Sequence, residues 1–168
     1  MTTAPHGGGT RHVHFERERG VYRVGVTQGL AHVVVKVGAE SDRTDRILLV
    51  FRTLADESIP IFLIKLHRTA VTFAMEEAQI PHVERCMATI GFQCRVRPNL
   101  ALLSIIASSM RDLTGVMVSI ADSLLAAGAH LYGVGDSHNS VQCLIDGEHL
   151  NEAVAQLKST FALEPEDE

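Results

Sequence analysis

Apolar positions along the chain recur with a period of two in some stretches and of three to four in others, and each change of period marks an element. Residues 21–27 (VYRVGVT) alternate as a short strand ending at Gln28-Gly29, and 31–37 (AHVVVKV) form a strongly β-branched strand. After the polar loop 38–45, Ile47, Leu48, Val50, Phe51, Leu54 and Ala55 have the spacing of a helix reaching Glu57, with Thr44 or Asp45 as its cap. Strands over 60–66 and 69–75 follow, and the short His67-Arg68 link between them implies an antiparallel hairpin. Ile80, Val83, Met87 and Ile90 share one helical face, Pro81 suits a first turn, and Gly91 stops the helix before a strand over 92–96. This is a β-α-β-β-α-β unit.

The pattern then begins again. Beyond the punctuated junction Arg97-Pro98-Asn99, it predicts a strand over 100–107, a helix over 114–127, strands over 129–134 and 140–145, and a helix over 148–161. A shift of 70 positions sets Asp42 under Asp112, Thr44 under Thr114, Leu54 under Leu124, Ile61 under Leu131 and Val71 under Val141, which reads as a divergent tandem repeat. The second copy runs into the acidic tail 164–168 (EPEDE) with no room for its fourth strand, while 21–27 is a strand without a unit. Both gaps close if 21–27 returns to complete the second sheet, so that the first unit is inserted within the second. The order implies an α+β, ferredoxin-like fold, with antiparallel sheets carrying helices on one face. The expected divisions are a disordered tail over 1–20, a first domain over 30–98, a second domain from 21–28 plus 99–163, and the acidic tail.

Composition narrows the function. The chain has 168 residues, 46% of them apolar, and no run approaches the roughly 20 apolar residues that cross a bilayer. Nor does it open with a charged and then apolar signal pattern, so a soluble, cytoplasmic protein is expected, with no membrane partner. A formal charge of −5, 5% aromatic residues and no Trp argue against nucleic acid as a partner. Cys86, Cys94 and Cys143 are odd in number and lack CxxC spacing, which argues against a disulfide framework or a zinc site and for buried reduced thiols. His6, His12 and His14 sit in a Gly-rich leader without apolar period, which reads as a tail rather than a metal site. No metal and no cofactor are expected.

Catalytic patterns are missing. The chain has no GxSxG, no GxxxxGK[ST] phosphate cradle and no GxGxxG between strand and helix, so it is not expected to be an enzyme. The two strand-to-helix loops, GAESDRTDR and ASSMRDLTG, are the candidate sites. Each offers the amide groups and positive dipole end of a helix N-terminus beside Asp42 or Asp112, a pairing suited to the carboxylate and ammonium of an amino acid. The alternative is that Asp42, Thr44, Asp112 and Thr114 only cap helices and form turns. Arg46 and Arg111 are further candidates for holding a carboxylate, or ordinary solvated side chains.

MRDLTGV, the helix end AAGAHL and VQCLIDGEHLNEAVAQLKSTFAL in the second unit resemble the C-terminal regulatory region of aspartokinases, with its M-R/K-x-x-P-G-V turn and A-G-I-N-I helix end. SDRTDRILLVFRTLADESIPI in the first resembles that family's S-D-x-P-G-x-A-x-x-V-F-x-x-L-A-x-x-x-I-N-I without a gap. The resemblance spans about residues 21–163 and implies two ACT domains, the first inserted in the second. ACT domains bind small effectors at interfaces between paired domains, and in aspartokinases lysine or threonine so bound biases the kinase. The chain contains no kinase domain and resembles the separate small regulatory subunit of some bacterial aspartokinases. The implied partners are a small amino acid, a second copy of the chain in a homodimer, and a kinase catalytic subunit. Carried over residue by residue, the effector positions are Asp42, Arg43, Thr44 and Asp45 with Ile59 and Ile61 in the first unit. In the second they are Asp112 and Thr114 with Ala129, His130 and Leu131.

Three departures stand out. Thr44-Asp45 replaces the family's Pro-Gly, Leu66-His67 replaces Gln-Asn or Gln-Ser, and Gly135 to Asn139 replaces S-T-S-E-I. They leave two expectations open: a regulatory protein that senses lysine, threonine or another amino acid, or a structural interaction module with degenerate effector sites.

Overall fold

The computed structural model of the chain describes residues 20–110 and 114–163. Strand β1 (Val21–Lys36) leads to helix α1 (Arg43–Asp56), the hairpin β2 (Phe62–Leu66) and β3 (Ala70–Glu76), and α2 (Ile80–Thr89). Strand β4 (Cys94–Ala107) then leads to α3 (Val116–Ala126), the hairpin β5 (Leu131–Asp136) and β6 (Ser140–Asp146), and α4 (Leu150–Thr160). The repeat is plainer in the structure than in residue identity. β3 and β6, the 3-10 turns Glu77–Gln79 and Gly147–His149, and the starts of α2 and α4 all fall 70 positions apart.

One antiparallel sheet runs β2-β3-β1-β4-β6-β5. Each half, read inward from its edge, has the second, third, first and fourth strand order of a ferredoxin-like unit. The early strand found its partner as expected: positions from Val21 to Thr27 face Ala107 to Leu102, while Leu30 to Lys36 face Glu76 to Ala70 of β3. The predicted pair of strands at 21–27 and 31–37 is one strand of 16 residues, and those at 92–96 and 100–107 are one of 14. The reason is that their supposed breaks are bulges. Register shifts flank Gln28-Gly29, where Gly29 adopts φ +70°, and Pro98 and Asn99 (φ +57°) lie in the same irregular stretch opposite. Pro98 lacks an amide hydrogen and is tolerated there because a bulge leaves a residue unpaired.

Helix ends also differ from the sequence reading. α1 starts at Arg43, and Asp42 is its N-cap without a side-chain bond; Thr44 and Asp45 are exposed first-turn residues, not caps. α3 starts at Val116 because Gly115, at φ +79°, is left-handed and cannot be helical.

Three apolar clusters hold the sheet. Val33, Val35, Phe73 and Met75 pack under Val50, Leu54, Val83 and Met87 of α1 and α2. Leu103, Ile105, Cys143 and Ile145 pack under Ile120, Leu124 and Leu157 of α3 and α4. Leu30, Ala74, Leu100, Leu102 and Leu144 alternate with these residues and so occupy the opposite, helix-free face. Phe62 and Leu63 of β2 and Tyr132 of β5 close over them. β2 and β5 are the two edges of the sheet, yet they touch, with Leu63 against Gly133 and Gly135. The sheet therefore curls until its edges meet, and the two repeats share a core.

Candidate functional site

At the end of β4 the chain crosses to α3 against the tip of the β5–β6 hairpin. The amide of Ala107 donates to the Asn139 carbonyl at 2.9 Å, and that of Met110 to the His138 carbonyl at 2.9 Å. The hairpin is itself braced: Ser137 Oγ reaches Ser140 Oγ at 2.8 Å and donates to Asn139 Oδ1 at 3.2 Å. Gly115 occupies the N-cap of α3 in a conformation that a side chain would strain. No side chain caps this helix and its first turn has no acidic residue, so the positive end of the helix meets no charge from its own turn.

Between helix start and hairpin lies a cavity of about 760 Å³ lined by Met110, Gly115, Val116, Met117, Val118, Val134, Asp136, Ser137, His138 and Val141. This is the size range of small-molecule sites. Six aliphatic or thioether side chains make it apolar around a polar rim of Asp136, Ser137 and His138, with the α3 N-terminus at one side.

The equivalent place in the first repeat is bridged. Arg43 crosses from the start of α1 to the β2–β3 hairpin, its Nε donating to the Arg68 carbonyl at 3.0 Å and its Nη2 to the His67 carbonyl at 2.5 Å. A guanidinium thus sits where the second repeat keeps its cavity. His67 turns its ring toward Thr72, Nε2 to Oγ1 3.1 Å, and Leu66 is exposed.

The fold and these two clefts can be set beside solved structures. No protein-family model matches the sequence, and comparison with curated proteins finds no match. The regulatory subunit of aspartate kinase from Thermus thermophilus, in its ligand-free form, superposes with a TM-score of 0.74 at 16% identity, covering 84% of this chain and 99% of that one. The chain has the fold of an aspartate kinase regulatory subunit. A chain from a structure of aspartokinase alpha and beta subunits agrees further, with a TM-score of 0.78 at 19% identity and coverage of 86% of this chain and 100% of that one. Escherichia coli aspartokinase III, solved with lysine and aspartate, matches with a TM-score of 0.63 at 14% identity; 86% of this chain covers 34% of it.

Within this regulatory-subunit fold the residues singled out from sequence divide into separate groups. Asp42, Arg43, Thr44 and Asp45 do sit together at the start of α1, but Arg43 is engaged as described. Ile59 and Ile61 belong to the core under α1 and α2. Thr114 is exposed just before Gly115, while Asp112 and Arg111 lie outside the described residues. Ala129, His130 and Leu131 precede or begin β5, whereas the cavity is lined by Val134 and Asp136 near its other end. Within one chain the two groups are not brought together. Arg46 lies over the Phe92 ring, 5.0 Å from its centroid, with a buried Nε that has no hydrogen-bond partner, so it serves the packing of α1 and not the loop. Asp136 and His138 line the cavity, although in sequence residues 135–139 stand out only as a departure from a family pattern. The 70-residue offset from His67-Arg68 was the available signal.

Proposed function

We propose that the chain is a non-catalytic regulatory subunit that binds a small amino acid in the cavity at the start of α3 and thereby controls a partner aspartate kinase catalytic subunit. The observation that carries this reading is the cavity's chemistry. A bound amino acid would set its carboxylate at the first-turn amides of α3 and its ammonium toward Asp136. Its side chain would lie among Met110, Met117, Val118 and Val134. Lysine is a natural first ligand to try, because the E. coli enzyme of this fold was solved with it. The solved pair of alpha and beta subunits supports a catalytic partner.

In this reading residues 30–98 form one ACT domain inserted into a second made from 21–28 and 99–163. The strand start at Ala129 to Leu131, where His130 and Leu131 are exposed, serves a neighbouring copy in a homodimer. Exposed Met117, Val118 and Leu125 on α3 are consistent with such a neighbour. No helix among the described residues is long and apolar enough to cross a membrane, and a cytoplasmic location goes with the proposal. The Arg43 bridge favours a second element of the reading: the first cleft is structural, and sensing belongs to the second.

Thermal unfolding against a panel of amino acids tests this. A ligand at 100 times its Kd stabilises by about 2.7 kcal/mol, which for a chain of this size raises Tm by roughly 5–11 °C. Asp136→Asn, by weakening a charged contact, should raise that ligand's Kd roughly tenfold or more. The absence of any shift across the panel would overturn the sensing role and leave an assembly module.

A further inference from the structure

We propose that Glu57, His82 and Cys86 form a binding site for a divalent transition-metal ion of the zinc class, tying the end of α1 to α2. His82 and Cys86 are one helical turn apart on α2, so both point to the same side of the helix. Glu57 is the C-cap residue of α1 and reaches across to them. His82 Nε2 and Glu57 Oε2 are 2.8 Å apart, and one ligand atom from each of the three residues lies within 4.8 Å of the others. Bonds of about 2.0–2.3 Å in a tetrahedral zinc site place ligand atoms roughly 3.3–3.8 Å from one another, so modest side-chain adjustment suffices. Nitrogen, sulfur and carboxylate oxygen together suit a borderline-soft ion rather than calcium or magnesium.

The repeat supplies an internal comparison. Seventy positions on, the same places hold Ala127, Glu152 and Gln156, so the fold itself asks for no such trio there. In the first repeat the three donors come together at the edge of a core cluster that includes Cys86. On binding, the S–H bond gives its proton to solvent and the thiolate gives an electron pair to the metal. Affinity therefore rises with pH, with no redox change. Three protein ligands leave a fourth position for water or a partner's side chain. A set of one cysteine and two other residue types carries no CxxC spacing to announce it.

The test is titration of the reduced full-length protein with Co(II) and with Zn(II). The proposal predicts one equivalent of Co(II) bound per chain with a thiolate-to-cobalt charge-transfer absorption, displaced by Zn(II). Both signals are lost in Cys86→Ser and in His82→Ala, and retained when His6, His12 and His14 are changed to Ala. His82→Ala lies at a half-exposed position and keeps the test clear if Cys86→Ser folds poorly. An ordinary ion pair between His82 and Glu57 gives no charge-transfer band. Absence of the band, or binding that persists unchanged in a folded His82→Ala variant, would overturn the assignment.

Discussion

Leu144→Ala tests whether the two repeats stand or fall together. Leu144 is fully buried in the helix-free cluster, among Leu30, Leu100, Leu102, Phe62, Leu63 and Tyr132, residues drawn from both halves of the sheet. Truncation of a buried leucine costs about 2–5 kcal/mol, the spread reflecting how far neighbours can fill the hole. Here the cross-strand partner of Leu144 on β5 is Gly133, which has no side chain to move into the space. The loss should therefore fall in the upper part of the range, about 3–4 kcal/mol, or roughly 6–16 °C in Tm. Urea unfolding followed by far-ultraviolet circular dichroism measures the loss, and hydrogen exchange locates it. Because the cluster belongs to both repeats, amide protection should fall in β3 as much as in β6. A loss below about 1 kcal/mol, or a β3 that keeps its protection while β6 loses it, would refute the shared core.

Two further outcomes follow from ionisable groups. His149 is raised above its ordinary 6.5, chiefly by its Nδ1 contact with the Asp146 carboxylate. Burial acts to raise Asp146, but the bonds from the His149 ring and the His130 amide carry it below its ordinary 3.8. A raised histidine stabilises most below its unfolded value and loses this as pH climbs through its folded one; a depressed aspartate stabilises above its unfolded value and loses this on acidification. The pair thus contributes most between about pH 4 and 6.5, and His149→Ala should lower Tm more at about pH 5.5 than at about pH 8.5. An equal drop at both would contradict the linkage. Cys143 is fully buried and its thiol is pushed up to about 11 by burial, so in native protein at neutral pH it should resist a thiol reagent until the chain unfolds. Mass spectrometry of the labelled peptides distinguishes it from Cys94, which is only partly buried.

Much of the fold was legible in the chain's periodicity because burial enforces it. Val33 and Val35, or Leu103 and Ile105, must alternate with the other sheet face, and the strand expected at 21–27 pairs with 102–107. What misled was punctuation. Gly29 and Asn99 read as strand breaks, yet in long strands paired on both sides the same backbone freedom makes bulges. Sites were less legible than elements. Val134 and Val141 look like strand positions and only the meeting of hairpin and helix makes them cavity walls. Arg43 seals the first cleft by bonding carbonyls 24 and 25 residues away, which no local pattern announces. For the same reason His82 and Cys86 could be seen as helical neighbours, but Glu57 could not be added to them before the helices were packed.

An amino acid bound in the cavity between α3 and the β5–β6 hairpin would be in direct view of the methionines. Met110 and Met117 line the cavity, whereas Met75 and Met87 are fully buried in the core under α1 and α2. Methyl NMR of methionine-labelled protein, titrated with the amino acid that raises Tm, should move the Met110 and Met117 signals saturably and leave those of Met75 and Met87 in place. Saturable binding that leaves Met110 and Met117 unmoved would place the ligand elsewhere and contradict the assignment of this cavity.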